Sequence, residues 1–244
     1  MAVGRPTYLF IVCSAHPRVG KTLTARLLVE FQHANGRPVA AFDLGSDGPA
    51  LTEFLPAFST PASIDEIAGQ MALFEQIISA DEVPKVVDVG QRALASLFMI
   101  MRGINFEEEA NRRLIKPIVL FVAAPDDVSA RAYAILYQQF QTFGFTLINN
   151  EHVVQDCDLA TLSPPSFAGM PTLVVPELSA DLQAWCDQRP CSFADLHRSG
   201  PDVLSEELWG ELDAWLRRCF GQLHEWELAM TTSDINGSSD ESLS

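Results

Sequence analysis

A strand, a glycine-containing turn and a helix follow one another near the amino end, and this succession constrains the fold more than any other feature of the chain. Residues 8–13 (Tyr-Leu-Phe-Ile-Val-Cys) form an apolar run without alternation, which is typical of a strand covered on both faces of a parallel sheet. Residues 21–34 carry apolar side chains at helical spacing and end at Asn35-Gly36, a helix stop. Residues 38–43 form a second short apolar run that ends in an acid. We therefore predict one βαβ unit here.

The same alternation continues through most of the remaining sequence. Helices are predicted over residues 64–79, 93–101, 107–114 and 128–142, and strands over 85–89, 117–123, 145–149 and 172–175. Strands that alternate with helices indicate an α/β fold with a doubly wound, mostly parallel sheet and helices on both faces. Hydrophobic residues make up 48% of the 244 residues, which is enough for a substantial core.

The turn after the first strand reads Ser14-Ala-His-Pro-Arg-Val-Gly-Lys-Thr22. In the pattern G-x-x-x-x-G-K-[ST], backbone amides surround phosphate groups, the lysine reaches the β and γ oxygens, and the hydroxyl binds Mg²⁺. Ala15 replaces the first glycine, and the following helix directs its amino end at the anion. We predict a nucleotide phosphate site formed by the following residues: Ala15, His16, Pro17, Arg18, Val19, Gly20, Lys21, Thr22 and Leu23.

Three segments together resemble the ParA/MinD group of P-loop ATPases, which have a variant form of the phosphate loop. They are Val19-Gly-Lys-Thr22, Phe42-Asp-Leu-Gly45 and Val86-Val-Asp-Val-Gly90, and the resemblance covers roughly residues 7–178. It implies Mg·ATP as the ligand. It also implies that Lys21 binds phosphate, that Asp43 positions the attacking water, and that Asp88 holds Mg²⁺ together with Thr22.

Acids at the carboxyl ends of parallel strands face the crevice where ligands bind, which independently favours a site role for Asp43 and Asp88. The resemblance places Asn149 against the adenine, although Asn149-Asn150 is also ordinary turn chemistry. Guanine-specific P-loop proteins usually carry Asn/Thr-Lys-x-Asp after a late strand. The segment Asn149-Asn-Glu-His152 has neither that lysine nor that aspartate, so ATP is favoured over GTP.

The loop departs from the group at one important position. His16 stands where the group has a signature lysine, which reaches the partner's phosphates in a nucleotide-sandwiched dimer, and Pro17 and Arg18 replace two glycines. Arg18 is the candidate for the missing cation, because a guanidinium can bind phosphate through two hydrogen bonds. The resemblance implies a nucleotide-dependent homodimer, but His16 departs from the lysine on which that dimer and its ATP hydrolysis depend in the group.

Several functions stay open on the sequence. The first is a ParA/MinD-like ATPase that hydrolyses Mg·ATP slowly as a conformational switch for an unidentified protein partner, in partitioning or spatial positioning. The second is a non-hydrolysing, nucleotide-dependent protein-binding module. A third is a metabolic ligase or small-molecule kinase, for which this sequence shows no recognisable substrate-binding signature. The loop also resembles that of bacterial tyrosine kinases of polysaccharide export. Those kinases carry a tyrosine-rich tail, whereas this sequence has only three tyrosines and none in its tail.

Charge and composition limit the partners and the compartment. The formal net charge of −16 repels phosphate backbones and disfavours nonspecific DNA binding. Five scattered cysteines without CxxC spacing indicate reduced thiols. No secretory signal and no stretch long enough to span a membrane are visible, so a cytoplasmic protein is expected.

Three regions are expected along the chain. Residues 1–178 form the nucleotide-binding domain. Residues 179–230 form a helical extension packed on that domain, with an apolar stripe between Leu204 and Trp226. Residues 231–244 are polar and acidic, and they are expected to be a disordered tail.

Overall fold

The computed structural model describes residues 6–45, 50–154, 171–188 and 190–240. Within them, seven strands form one sheet in the order β3-β2-β4-β1-β5-β6-β7, and every neighbouring pair is parallel. The strands are β1 (Thr7–Cys13), β2 (Ala40–Asp43), β3 (Ser59–Pro61), β4 (Lys85–Asp88), β5 (Ile115–Val122), β6 (Gly144–Asn150) and β7 (Thr172–Val175). The predicted α/β class with a parallel sheet is confirmed.

Helices cover both faces of the sheet. They are α1 (Lys21–Ala34), α2 (Leu51–Phe54), α3 (Ile67–Ile77), α4 (Leu94–Gly103), α5 (Phe106–Arg112), α6 (Asp127–Gln139), α7 (Glu151–Val154), α8 (Ala180–Gln188), α9 (Phe193–Ser199) and α10 (Glu206–Asp240). Each predicted element is present with its ends within three residues of the prediction. Neither the three-residue strand β3 nor the four-residue helix α2 was predicted.

Alternate side chains of β1 enter two separate apolar cores. Phe10 and Val12 pack in the core under α1, α2, α8, α9 and α10. Leu9, Ile11 and Cys13 pack in the core under α3, α4, α5 and α6. The central strand is therefore buried on both faces, as its unbroken apolar sequence predicts.

The long helix α10 packs closely on the sheet. Its Trp226 donates a hydrogen bond from Nε1 to Thr146 Oγ1 at 3.0 Å, and its Trp215 donates one from Nε1 to the Pro176 carbonyl at 2.8 Å. Gln222 Oε1 accepts a hydrogen bond of 3.0 Å from the backbone N–H of Val174, on the outer strand β7. These bonds join the helix to the two strands at this side of the sheet.

The structure describes the C-terminal segment only in part. Helix α10 runs to Asp240, so its backbone overlaps the segment 231–244 for which the sequence predicts a disordered tail. Residues 241–244 lie outside the described residues. The three-part division of the chain stays a prediction. Over the residues that the structure covers, no helix combines the length and apolarity needed to cross a membrane.

Candidate nucleotide site

The loop between β1 and α1, where the sequence predicts a phosphate site, turns into the helix at a glycine. Gly20 precedes the helix in the left-handed region, with φ 98° and ψ 21°, which a glycine adopts without steric cost. The first-turn amides of α1 receive no side-chain cap from Gly20 and face the end of the sheet where β1 terminates. The buried Lys21 ammonium donates a hydrogen bond of 2.6 Å to the carbonyl of His16, so the loop curves back over the lysine.

Asn150, rather than Asn149, is the residue of β6 that contacts this loop. Asn150 Nδ2 donates a buried hydrogen bond of 3.0 Å to the carbonyl of Val19. A Cβ atom at Gly20 would lie 2.4 Å from the same Nδ2, so the glycine permits the approach. Asn149 lies one residue earlier, and its buried Oδ1 has no hydrogen-bond partner within the described part of the chain. The adenine contact assigned to Asn149 stays a prediction, and the loop contact of Asn150 is one that the sequence did not reveal.

The two acids predicted for the site are neighbours across the sheet. Asp43 and Asp88 are paired residues at the carboxyl ends of β2 and β4, and both are buried. Thr22 Oγ1 donates a hydrogen bond of 2.7 Å to Asp88 Oδ2. The hydroxyl and the carboxylate that the sequence assigned to Mg²⁺ are therefore in direct contact.

These residues fit a magnesium ion carried by a nucleotide. Asp88 Oδ1 is buried and finds no hydrogen-bond partner among the residues that the structure describes. An unsatisfied carboxylate oxygen beside a hydroxyl is a suitable oxygen pair for Mg²⁺. No group of three or more histidine, cysteine or acidic side chains with metal-binding geometry occurs in the described ranges. A Mg²⁺ ion carried by a nucleotide usually takes its remaining ligands from phosphates and water.

Burial raises the pKa of Asp88 to about 7, and the charge of Asp43 adds to the increase, whereas Thr22 and Lys21 oppose it. Because its ordinary value is 3.8, the folded protein binds more protons than the unfolded chain between these two pH values. Protonated Asp88 contributes its full stabilisation below its ordinary pKa of 3.8. That stabilisation is lost as the pH rises through the pKa of about 7 in the folded protein. The ligand-free protein should therefore become less stable between about pH 4 and pH 7.

We expect Asp88→Asn to remove this pH dependence. The free energy of unfolding of the wild type should fall by about 2 to 4 kcal/mol relative to Asp88→Asn across that window, because one buried carboxyl loses its proton in the wild type alone. Urea unfolding of both proteins at pH 4.5 and pH 8 measures the difference. Parallel pH profiles of the two proteins would contradict the assignment of this titration to Asp88.

Asp43 is held by the segment that follows β2. Its Oδ1 accepts a hydrogen bond of 2.9 Å from the Gly45 amide. Its Oδ2 accepts two hydrogen bonds from Thr52 in α2, at 3.2 Å from the amide and 3.4 Å from the hydroxyl. Both carboxylate oxygens therefore already accept hydrogen bonds, and Oδ1, which accepts only one, has a further acceptor position for a water.

Gly90 allows the loops after β2 and β4 to touch. A Cβ atom at position 90 would lie 1.9 Å from the carbonyl oxygen of Gly45 and 3.1 Å from that of Leu44. Both obstacles are backbone atoms, so the Gly90→Ala protein must separate the two loops that carry the acids.

We expect Gly90→Ala to lower the free energy of unfolding by about 2 to 3 kcal/mol, as for other substitutions that overfill a packed site. Urea unfolding provides the measurement. Gly103→Ala is the matched control, because nothing lies within 4 Å of a Cβ there and the change should be neutral or stabilising. Equal stability of the two variants would contradict the close approach at Gly90.

His16 makes a contact within its own chain. Its Nε2 lies 3.0 Å from Asp126 Oδ1 and 2.9 Å from Asp126 Oδ2. Asp126 also caps α6 by accepting a hydrogen bond of 2.8 Å from the Ser129 amide. Burial alone would raise the pKa of Asp126, but the hydrogen bonds from Ser129 and His16 outweigh it and hold that pKa below its ordinary value. The residue at the signature-lysine position is thus tied to the loop after β5.

Arg18 occupies the exposed tip of the loop. Its φ is 56°, a left-handed conformation that costs a non-glycine residue about 1 to 2 kcal/mol. The backbone therefore keeps a conformation suited to glycine although an arginine occupies the position. The phosphate contact assigned to Arg18 stays a prediction, as do those of Ala15, Pro17, Val19 and Leu23.

Comparisons with known proteins give a likeness of fold. No family model matches the chain, and no curated protein matches it. A nucleotide-binding protein of Archaeoglobus fulgidus, solved in complex with ADP, is 14% identical with a TM-score of 0.47, over 75% of this chain and 86% of that chain. A chain of the MinC:MinD cell division protein complex of Aquifex aeolicus is 15% identical with a TM-score of 0.48, over 88% of this chain and 96% of that chain. The solved structures similar to this chain thus include a nucleotide-binding protein and a part of the MinC:MinD complex.

Proposed function

We propose that this chain is a ParA/MinD-like ATPase that binds Mg·ATP at the loop of residues 14–22 and hydrolyses it slowly as a conformational switch. One observation carries the proposal: Thr22 Oγ1 contacts Asp88 Oδ2 at 2.7 Å, next to the buried Lys21 at the start of α1. A hydroxyl, a carboxylate and an ammonium at the amino end of a helix match the charges of a triphosphate with its metal ion.

Each residue has a separate task in this proposal. The amides of α1 and the Lys21 ammonium bind the phosphate oxygens and stabilise the charge that moves to the β-phosphate as the bond to the γ-phosphorus breaks. Thr22 and Asp88 would hold a Mg²⁺ ion, which would neutralise part of the phosphate charge when bound. Asp43 accepts a hydrogen bond from the water whose oxygen attacks the γ-phosphorus, and the products are ADP and inorganic phosphate.

The test is nucleotide binding and phosphate release by the purified protein. Calorimetric titration with ATP and with GTP, each with and without Mg²⁺, gives the affinities, and we expect ATP to bind more tightly than GTP. Phosphate release then separates an ATPase from a binding module. Failure of every nucleotide to bind would overturn the proposal.

Asp43→Asn separates hydrolysis from binding. Asparagine keeps the oxygen that accepts the Thr52 hydrogen bonds but loses the charge, so ATP affinity should change by no more than a few-fold. The rate of phosphate release should fall at least about 100-fold, because a positioned base contributes that much. The exposed Asp202→Asn is the control. Unchanged release by Asp43→Asn would remove Asp43 from the mechanism.

A non-hydrolysing, nucleotide-dependent protein-binding module is the second candidate, and the His16–Asp126 contact favours it. A histidine held at 2.9 Å by a carboxylate of its own chain is not directed toward a partner's phosphates. If the wild type binds ATP but releases phosphate no faster than Lys21→Ala does, this candidate is selected. In either case we propose a cytoplasmic protein whose nucleotide state sets its affinity for a protein partner, with DNA binding disfavoured by the net charge of −16.

A further inference from the structure

A buried arginine lies between the nucleotide domain and the C-terminal helices. Arg26, in the second turn of α1, is 4% exposed. Its guanidinium carbon lies 3.4 Å from the centre of the Phe193 ring in α9 and 4.5 Å from the centre of the Phe54 ring in α2. It also donates a hydrogen bond to the carbonyl of Cys191, just before α9. One side chain of the phosphate-loop helix therefore contacts two segments that do not adjoin each other in sequence.

Glu30 extends this contact to the backbone of α9. Glu30 Oε1 accepts hydrogen bonds from Arg26 Nε at 3.1 Å and from the Phe193 amide at 2.8 Å. Glu30 Oε2 accepts a hydrogen bond of 2.8 Å from the Ala194 amide. The first two amides of α9 would otherwise be without partners, so the carboxylate of α1 fixes the amino end of α9.

Helix α2 connects Arg26 with the acid of the site. It is four residues long, and it contains both Thr52, which donates to Asp43, and Phe54, which covers one face of the guanidinium. Leu51 and Phe54 are buried in the apolar core, and this packing holds α2 as one small unit. The same four-residue helix therefore contacts both the Asp43 carboxylate and the Arg26 guanidinium.

We infer that Arg26 couples the position of the Asp43 segment to the docking of α9, so that release of one loosens the other. The inference rests on the proposed function only in naming Mg·ATP as the ligand that moves Asp43. The attacking water draws the Asp43 carboxylate away from Thr52, α2 shifts, and Phe54 uncovers Arg26. The amino end of α9 then loses part of its support, and the protein surface around it becomes the part that reports nucleotide binding to a partner.

The coupling can be tested without nucleotide by hydrogen exchange. Glu30→Gln removes the charge that holds α9, and we expect exchange to rise at least about fivefold both in residues 193–199 and in residues 50–55. In a protein that already carries Phe54→Leu, Glu30→Gln should raise hydrogen exchange in residues 193–199 but not in residues 50–55. A rise confined to residues 193–199 in the protein that keeps Phe54 would overturn the inference.

A second experiment adds saturating Mg·ATP. Exchange in residues 193–199 should rise at least about fivefold in the wild type and in Phe58→Leu, but not in Phe54→Leu. Phe58 is the matched control because its ring packs on His33 instead of on Arg26. If Mg·ATP binds and α9 exchange is unchanged in the wild type, the coupling does not transmit nucleotide state and the inference fails while the proposed function stands. If Mg·ATP does not bind, the proposed function fails and the nucleotide-free comparison still decides the coupling.

Discussion

Lys21→Ala should lower the affinity for Mg·ATP at least about 100-fold. A buried ammonium contributes about 1.5 to 3 kcal/mol for each charge-assisted hydrogen bond, and tenfold in affinity corresponds to about 1.4 kcal/mol. The His16 carbonyl already holds the Lys21 ammonium in the loop at 2.6 Å, so the charge is positioned before the ligand arrives. Alanine removes the charge and leaves the helix intact, because it is the best helix former. Titration calorimetry of both proteins with ATP in excess Mg²⁺ gives the ratio.

Lys116→Ala is the control for loss of a lysine. The chain has three lysines, and Lys116 lies at the opposite end of the sheet, near the start of β5. Its replacement should leave ATP affinity within about twofold. Equal affinities of wild type and Lys21→Ala would show that the loop is not the phosphate site, and the switch proposal would fall with it.

Glu30→Ala should be the most destabilising single substitution among those considered, with a loss of about 3 to 5 kcal/mol in the free energy of unfolding. It leaves the Arg26 guanidinium buried without its counter-charge and leaves two amides of α9 without acceptors. Burial lowers the pKa of Arg26, an effect that the charge of Glu30 opposes. Urea unfolding at pH 7 measures the loss.

Two further variants separate charge from packing at this position. Glu75→Ala removes an exposed glutamate from the last turn of α3 and should change stability by less than about 0.5 kcal/mol. Arg26→Met combined with Glu30→Leu removes both charges and should recover part of the loss, since a buried ion pair can be replaced by apolar side chains at little cost. A loss with Glu30→Ala no greater than with Glu75→Ala would contradict the buried pair.

The fold and part of the candidate site could be predicted from short patterns of residues that are close together in the sequence. The unbroken apolar β1, the turn at Gly20 and the acid that ends each of two parallel strands are short patterns. They predict that Asp43 and Asp88 both face the crevice at the carboxyl ends of the strands. The structure places these two residues opposite each other in β2 and β4. The prediction follows from strand direction alone, so it needs no knowledge of side-chain packing.

Contacts between distant segments could not be predicted in the same way. Asp126 lies 110 residues from His16, and its sequence signal is only that of a helix cap before Ser129. Asn149 and Asn150 are adjacent, and which of them faces the loop depends on the alternation of β6 relative to the sheet. Arg26 and Glu30 read as an ordinary pair of helix neighbours, because burial by α9 is a property of the tertiary structure.

The two outer strands of the sheet are protected from further pairing by different means. Strand β3 is three residues long and ends at Pro61, which has no N–H to donate to another strand. Strand β7 relies on α10, whose Gln222 occupies the N–H of Val174. Removal of α10 would expose that edge together with the apolar side chains beneath the helix, and a shortened chain would then tend to associate by adding strands at β7. We therefore expect α10 to limit pairing at the β7 edge, in addition to completing the core.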